Sequence, residues 1–495
     1  MLFNSFGFIF IFLPATFFVY FYLRSTQLVN APKVWLISAS LLFYGWSNFI
    51  YLPLILSSIL FNFFISKAIL KFDLVNKQFL SKKNLLKVGI ISNIGLLIYF
   101  KYMNFFITNV NSVFSSNIDL LNIILPLAIS FFTLQQIIFL VDSYEDLVKE
   151  KSFLNYLLFI TFFPQLILGP IVHHHQMMPQ FEDKKNYLIN YKNISLGIFI
   201  FSIGLFKKVV IADSFEVFAT QGFDVANTLN FFEAWVTSLS YTFQLYFDFS
   251  GYMDMAVGIA LIFNIQIPQN FNSPFKASGI IDFWQRWHIT LSNFITTYIY
   301  TPIVMSFKNL NIHKAMLATF LAFLIAGLWH GASWMFVIFG SLHGIGLVTN
   351  QYWNKYWKKK FKINLNFYLA WFITFNYVNI ANVFFRARDW SDASKVINSM
   401  FSVDNIVIPS LFENKLIFLS NYGMVFGEFL NNIGGNNRTI LWILITLIIV
   451  LFFKNSMELL KTFKPSIWSA LLTLFFLIYS ILNISKNSSF IYFNF

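Results

Sequence analysis

Residues 324–347 read LIAGLWHGASWMFVIFGSLHGIGL, and this stretch sets the class of fold. One apolar run ends near its first histidine, His330, and a second apolar run begins after only three small residues. The stretch contains no Asp, Glu, Lys or Arg. Apolar runs without charge are typical of helices that lie in a membrane.

The composition extends this reading to the whole chain. Of the 495 residues, 57% are hydrophobic, 21% are aromatic and only 11% are charged. An ordinary soluble domain carries about 25% charged residues, so this composition excludes an ordinary water-soluble enzyme. Strict alternation of polar and apolar residues is absent, which argues against a membrane β-barrel. The chain has no cysteine, which excludes disulfides, thiolate nucleophiles and cysteine-ligated metal sites.

Apolar runs follow one another along the chain, separated by short polar links. They cover residues 6–23, 34–46, 49–70, 88–106, 120–141, 153–172, 188–205, 231–247, 253–265, 289–304, 315–328, 334–349, 367–385, 440–453 and 467–484. Several are shorter than the roughly 20 residues that a crossing needs. We therefore predict one all-α polytopic membrane domain over residues 1–495, with about 11 transmembrane helices plus re-entrant or interfacial helices.

The distribution of the net charge of +13 predicts the orientation in the membrane. Lys and Arg collect in the links at 24–33, 71–87, 355–362 and 454–464. Such links are typical of the cytoplasmic side. The link 107–119 has no Lys or Arg and fits the outside. This pattern puts the N-terminus, the polar stretch 386–439 and the aromatic tail 486–495 outside the cytoplasm.

Two histidines lie within the apolar stretch quoted above. Ionisable residues at membrane depth are costly, so His330 and His343 are candidate site residues. Small residues leave room beside His330, and Trp329 and Trp334 could separate it from water. A desolvated histidine stays neutral, as a general base requires. The alternative is a histidine that only packs or forms structural hydrogen bonds.

Two further stretches carry polar residues among aromatic ones. In FWQRWHITLSNF at 283–294, Arg286 and His288 either belong to an interfacial helix, or bind a phosphate and orient a reacting group. In YFDFSGYMDMA at 246–256, Asp248 and Asp254 are six residues apart and point to different helix faces. A catalytic carboxylate pair is therefore not favoured. Capping of a helix end near Ser250, or pairing with an arginine, is the preferred interpretation.

Three adjacent histidines, 173–175, follow the sequence ILGPIV. Three histidines suggest a metal ion, but adjacent residues on a helix cannot all point to one ion. We interpret them as a loop or interfacial stretch and predict no metal site.

Several sequence motifs, taken together, resemble those of a known protein family. They are FPQLILGPIV at 163–172, QLYFDFSGYMDMAVG at 244–258, FWQRWHITLS at 283–292, LWHGASW at 328–334 and LHG at 342–344, with MLFNSFGFIFIFLP at the start and FIYFNF at 490–495. In this order the chain resembles the membrane-bound O-acyltransferase (MBOAT) family, and within it the bacterial branch of alginate and peptidoglycan O-acetyltransferases. The resemblance covers essentially the whole chain.

The resemblance implies many helices around a central tunnel through the membrane. It implies that the two family histidines fall on His330 and His343 and that the family's tryptophan–histidine helix falls on Trp287 and His288. We predict that His330 and His343 are catalytic, with His288, Arg286, Trp329 and Asp248 in support. The resemblance also implies acetyl-CoA as a cytosolic donor substrate, no bound cofactor, and an acceptor outside. Relatives usually have two arginines where this chain has Gln285 and Arg286.

The expected reaction moves an acetyl group across the membrane, with His330 as general base for an acceptor hydroxyl. Tyr492 in the tail is a candidate acyl relay, since a phenol is more acidic than a sugar hydroxyl; an interfacial aromatic anchor is the alternative. The resemblance further implies a periplasmic SGNH-type partner that completes transfer to a cell-envelope polysaccharide, with 386–439 as its docking surface. Rival interpretations are a transporter or flippase, an inactive scaffold, and a D-alanyl-type acyltransferase.

Overall fold

The computed structural model describes residues 1–26, 28, 30–46, 48–71, 81–149, 151–362, 364–484 and 490–491. These residues are almost entirely helical. The described strands are β1 (Val407–Pro409) and β2 (Val425–Gly427), which pair in parallel, with Val407 opposite Val425. The predicted all-α polytopic membrane class is therefore confirmed.

The α-helices follow in chain order. The first twelve are α1 (Leu13–Ser25), α2 (Ala31–Gly45), α3 (Leu52–Leu70), α4 (Lys82–Leu97), α5 (Met103–Phe114), α6 (Ile129–Tyr144), α7 (Phe153–Thr161), α8 (Phe163–Leu166), α9 (His174–Glu182), α10 (Tyr191–Phe206), α11 (Asp213–Thr220) and α12 (Phe231–Ile262). The next twelve are α13 (Ile280–Trp284), α14 (Ile289–Phe294), α15 (Thr301–Met305), α16 (Ile312–His330), α17 (Trp334–Tyr352), α18 (Lys358–Phe361), α19 (Phe367–Arg386), α20 (Trp390–Phe401), α21 (Glu413–Leu416), α22 (Asn437–Phe452), α23 (Ser456–Thr462) and α24 (Ile467–Leu482). Short π-helical segments join α4 to α5, α10 to α11, and α14 to α15.

Six helical segments among the described residues are long and apolar enough to cross a membrane alone. They are Phe8–Ser25, Phe49–Leu70, Lys82–Phe114, Tyr191–Val225, Phe231–Ile262 and Ile312–His330. A seventh is added if α22 and α23, which meet at a bend of 48°, count as one span. The predicted total of about 11 crossings would need the shorter helices as well, and it stays a prediction.

Two details of the predicted span pattern are wrong. The run 153–172 breaks into α7 and α8, with nine and four residues. At 1.5 Å per residue α7 is only about 13 Å long, so neither helix crosses a bilayer alone. Conversely, the runs 231–247 and 253–265 form one continuous helix, α12, of 32 residues. The predicted helix end near Ser250 therefore does not exist.

The chain groups into two compact units. Among the described residues, the first comprises Met1–Leu205, Tyr252–Gln269 and the residues from Thr462 onwards, and the second comprises Phe206–Gly251 and Asn270–Lys461. In the first unit, polar side chains tie helices together inside the apolar core. Asn62 on α3 donates to Gln136 on α6 at 2.7 Å and accepts from Asn93 on α4 at 2.7 Å. The amides of Asn62 and Asn93 therefore have partners, which offsets the cost of their burial.

A buried cation joins three further helices of the first unit. Lys33 on α2 forms an ion pair with Glu182 on α9, and its ammonium donates to Asn155 on α7 at 2.9 Å. The hydrogen bond from Lys33 holds the pKa of Glu182 below its usual range. The broken segment α7–α8 and the following helix α9 are thus fixed beside the link between α1 and α2.

Of the tail 486–495, the structure describes Phe490 and Ile491. Phe490 is fully buried and lies edge-on to the ring of Tyr252, with ring centroids 4.8 Å apart. Tyr492, the candidate acyl relay, lies outside the described residues. The outward placement of 386–439 and of the tail stays a prediction.

Candidate active site

The site of the second unit is built on a hairpin of α16 and α17. The two helices pack so closely that a Cβ atom on Gly327 would lie 2.4 Å from the carbonyl oxygen of Phe336 and 2.6 Å from the Cα of Gly340. A Cβ on Gly331 would lie 2.0 Å from the Phe336 ring. The prediction that these small residues leave room for His330 is therefore wrong: they let the backbones approach, as small residues do in membrane helix pairs.

His330 is the last residue of α16 and is buried, with 6% of its surface exposed. Three aromatic rings surround its imidazole: Trp329 at 5.0 Å, Phe385 at 5.2 Å and Phe339 at 5.9 Å between centroids. Trp329 therefore covers His330 as expected. Trp334 begins the next helix and is 60% exposed.

His343 lies in the middle of α17 and is fully buried. The indole Nε1 of Trp284, on α13, donates a hydrogen bond to His343 Nδ1 at 3.1 Å. An indole N–H can only donate, so Nδ1 must accept, and the proton of this neutral imidazole is assigned to Nε2. His343 is therefore a donor at Nε2 and not a free base.

The ring of Phe339 lies between the two histidines. Its centroid is 4.6 Å from that of His343 and 5.9 Å from that of His330. Phe385 packs against both Phe339 and His330, at 4.8 and 5.2 Å. The two sequence-predicted histidines therefore belong to one aromatic cluster, separated by an apolar ring.

His288 is held by a separate polar network. It is buried, and its Nδ1 lies 3.2 Å from Asn270 Oδ1, which also accepts hydrogen bonds from the backbone N–H and the hydroxyl of Thr290. An amide oxygen can only accept, so the proton is assigned to Nδ1 of His288. Its backbone is left-handed, with φ 45°, an uncommon conformation for a non-glycine residue. The ring of His288 is therefore held in one orientation by Asn270.

Arg286 is committed to a neighbouring carboxylate. Its Nε donates to Asp282 Oδ1 at 2.7 Å, one helical turn earlier, and its side chain is 32% exposed. Next to it, Trp287 stacks on Phe283 at 5.6 Å, and Phe283 in turn stacks on His343 at 6.3 Å. The FWQRWH stretch thus supports His343 through its aromatic residues, and the sequence analysis missed Trp284 among them.

Asp248 lies in an ion cluster apart from the histidines. Its carboxylate is 2.7 Å from Nζ of Lys208, which is also 2.8 Å from Asp213. Lys208 and Asp248 are each 1% exposed. The predicted capping of a helix end near Ser250 is wrong because α12 is continuous there, and the cation 2.7 Å from Asp248 is a lysine and not an arginine. The sequence analysis missed Lys208, although a lysine inside the apolar stretch 191–225 was a signal for it.

Two cavities flank the α16–α17 hairpin. The larger, of about 710 Å³, is lined by Asn350, Trp353 and Lys358 at the basic end of α17. The smaller, of about 470 Å³, is lined by Trp284, the hydrogen-bond donor to His343. Ile281 and Gln285 line both cavities.

The two cavities are neighbours, one at the basic end of α17 and one beside Trp284. The larger falls within the usual range of ligand pockets, about 300–1,000 Å³. His330 lines neither cavity. His343 likewise lines neither cavity, but Trp284, which lines the smaller one, donates a hydrogen bond to it.

Comparison with known proteins shows the family of the chain. The model of the membrane-bound O-acyltransferase family matches residues 75–387. The chain is 45% identical to a peptidoglycan O-acetyltransferase of Helicobacter pylori, with 100% of this chain and 98% of that protein covered. It is 31% identical to a probable alginate O-acetylase of Azotobacter vinelandii, over 85% of this chain and 82% of that protein.

A more distant relative is a teichoic acid D-alanyltransferase of Bacillus subtilis, 29% identical over 52% of this chain and 67% of that protein. All of these relatives transfer an acyl group, according to their names. This chain is an acyltransferase and belongs to the membrane-bound O-acyltransferase family.

Proposed function

We propose that this enzyme takes acetyl groups from cytosolic acetyl-CoA and passes them across the membrane for O-acetylation of peptidoglycan. The observation that carries the proposal is the 45% identity, over the whole chain, to a peptidoglycan O-acetyltransferase. The histidine hairpin of α16 and α17 supplies the chemistry, and the adjoining cavities supply the entry for the donor.

The donor enters the 710 Å³ cavity from the side of the basic cluster 355–362. Lys358 lines that cavity, and neighbouring lysines attract the phosphates of CoA. The smaller cavity leads the thioester end of the donor past Gln285 to Trp284. In this arrangement the charged phosphates of CoA lie in the larger cavity, near the basic surface. The acetyl group lies in the smaller cavity, near Trp284.

The two histidines have different tasks. His343, protonated at Nε2 through its bond with Trp284, donates a hydrogen bond to the thioester carbonyl as negative charge develops there. His330 accepts the proton of the attacking hydroxyl. The resulting positive charge lies at the carbonyl end of α16, which stabilises it by about 0.3–1 kcal/mol. The acyl C–S bond breaks, the C–O bond forms, and His330 returns the proton to the CoA thiolate.

The direct acceptor in this proposal is Tyr492, because a phenol ionises more readily than a sugar hydroxyl. The acetyl group then passes to a periplasmic SGNH-type partner, which completes transfer to the polysaccharide. The polar stretch 386–439 forms the docking surface for this partner.

The test of the reaction is release of free CoA by purified enzyme supplied with labelled acetyl-CoA. General-base catalysis contributes about 10²- to 10⁴-fold, so His330→Ala should lower the rate by that factor. The matched control is His313→Ala, an exposed histidine hydrogen-bonded to Tyr352. Undiminished CoA release by folded His330→Ala would refute the assignment of the base, and acetyl uptake into vesicles without CoA release would favour a transporter.

The relay is tested separately. Tyr492→Phe keeps the aromatic ring and removes the hydroxyl, so acetylation of the polymer should fall by at least tenfold while the protein stays in the membrane. Labelled acetyl on wild-type enzyme that disappears in Tyr492→Phe would locate the intermediate. Polymer acetylation that is unchanged in the variant would reduce Tyr492 to an anchor.

A further inference from the structure

A cluster of side chains of the kinds that ligate metal ions lies in the first unit, far along the sequence from the histidine hairpin. Asp142, near the end of α6, and His174 and His175, which begin α9, bring one oxygen and two imidazole nitrogens within 4.8 Å of one another. His174 Nε2 is already 3.1 Å from Asp142 Oδ2. A tetrahedral zinc ion with bonds of about 2.0–2.1 Å holds its ligands roughly 3.3 Å apart, so this pair has the required spacing.

The burial of the cluster also suits an ion. Asp142 is 5% and His174 2% exposed, whereas His175 is exposed. A buried carboxylate is costly unless it is paired, and a cation beside it offsets that cost. The exposed imidazole of His175 leaves an open route by which an ion enters. The edge of Phe139 packs against His174 at 5.4 Å and holds its ring in place.

The backbone explains why the sequence analysis did not find this site. Three adjacent histidines on one helix point in different directions, and that argument holds for the helix itself. However, His173 lies before α9 with extended backbone, and the third ligand, Asp142, is 32 residues earlier in the chain. His173 Nδ1 is 4.0 Å from the same carboxylate oxygen and therefore lies next to the site.

We propose that Asp142, His174 and His175 bind one divalent cation of the Zn²⁺ type. Two imidazoles and a carboxylate are a ligand set that zinc takes in proteins, with water or His173 in the fourth position. The ion links α6 to α9. Because α9 also carries Glu182, the partner of Lys33, the site stabilises the arrangement of α2, α7 and α9 in the first unit. This inference is independent of the proposed reaction.

The experiment is a Zn²⁺ titration of the purified, metal-free full-length enzyme in detergent, with any affinity tag removed. One equivalent should bind and raise the unfolding temperature, because an ion that binds the folded state stabilises it. His175→Ala should weaken Zn²⁺ binding at least tenfold while leaving the fold intact, since His175 is exposed. His313→Ala, at an exposed histidine outside the cluster, should bind as wild type does.

Asp142→Asn provides a second variant, because an amide keeps the shape of the carboxylate but loses its charge. It too should weaken binding at least tenfold. Absence of stoichiometric Zn²⁺ binding by the wild-type enzyme, or equal binding by wild type and His175→Ala, would overturn the proposal. CoA release is also measured, with and without Zn²⁺. It reports the proposed reaction and not metal binding, so failure of one proposal can be told from failure of the other.

Discussion

The hydrogen bond between Trp284 and His343 joins residues 59 positions apart. At the residue scale it explains why sequence reasoning recovered the site only in part. His330 and His343 stand out because ionisable side chains are rare in apolar runs. Their partners do not stand out, because Trp284 is one of 13 tryptophans in the chain and Asn270 lies in no recognisable motif. The sequence pattern therefore identifies the candidate histidines, whereas their hydrogen-bond partners are identified only by the fold.

Trp284→Phe tests the orientation of His343. The substitution keeps an aromatic ring and removes the only N–H that the indole offers to Nδ1. A buried acceptor left unpaired costs about 1–3 kcal/mol. We therefore expect the rate constant for CoA release to fall about tenfold, with little change in the KM for acetyl-CoA. Trp468→Phe, at a tryptophan that is 78% exposed, is the control. Equal rates in the two variants would contradict the role of Trp284.

Lys208→Met tests the ion cluster. The substitution leaves Asp248 buried without its cation, which costs about 3–5 kcal/mol in comparable cases. Asp248→Asn should cost less, because Lys208 keeps its pair with Asp213. We expect the unfolding temperature in detergent to rank wild type above Asp248→Asn, and Asp248→Asn above Lys208→Met.

The neighbouring Lys207 supplies the matched control for this series. Lys207 donates to the hydroxyl of Ser456 and is only partly buried. Lys207→Met should therefore lower the unfolding temperature much less than Lys208→Met does. The reverse order would show that the cluster around Lys208 does not stabilise the fold.

At the scale of elements, the contact between α16 and α17 positions both histidines. Gly340→Ala should disturb it, because the new Cβ would lie 2.6 Å from the carbonyl oxygen of Phe323 and 2.9 Å from the Cα of Gly327. Both are backbone atoms and cannot move alone. Overpacking of this kind costs about 1–3 kcal/mol. We expect a lower unfolding temperature and slower CoA release.

Gly95→Ala in α4 is the matched control for that experiment. A Cβ at this position would meet nothing within 4 Å, and alanine favours a helix more than glycine does. Its unfolding temperature should equal or exceed that of wild type. If Gly340→Ala behaved like Gly95→Ala, the close approach of α16 and α17 would not be required.

The sequence predicted where helices occur better than it predicted whether each helix is continuous. The apolar runs at 315–328, 334–349 and 367–385 became α16, α17 and α19 with small shifts of their ends. The run 153–172 broke, because the segment is buried among other helices and need not satisfy the length that lipid imposes. The two runs around Ser250 fused, since Asp248 finds its partner across a helix contact and does not end the helix.

For the whole molecule, the distribution of Lys and Arg predicts which polar links face the cytoplasm. Because the chain has no cysteine, single introduced cysteines can test this prediction. Single cysteines at Ser420 and at Lys359, both exposed, should react differently with a membrane-impermeant maleimide. Ser420→Cys should be labelled from outside the cytoplasmic membrane, and Lys359→Cys only after permeabilisation. The opposite labelling pattern would show that the predicted orientation in the membrane is inverted. The side from which acetyl-CoA enters would then be inverted too.

The position of Phe339 has a consequence for the energetics of the cell. An energised bacterial membrane stores a proton gradient, and a continuous file of imidazoles and water would discharge it. An apolar ring between His330 and His343 interrupts such a file, since it offers protons neither a donor nor an acceptor. The two histidines can thus be close neighbours in one aromatic cluster without forming a direct hydrogen-bonded path from one ring to the other.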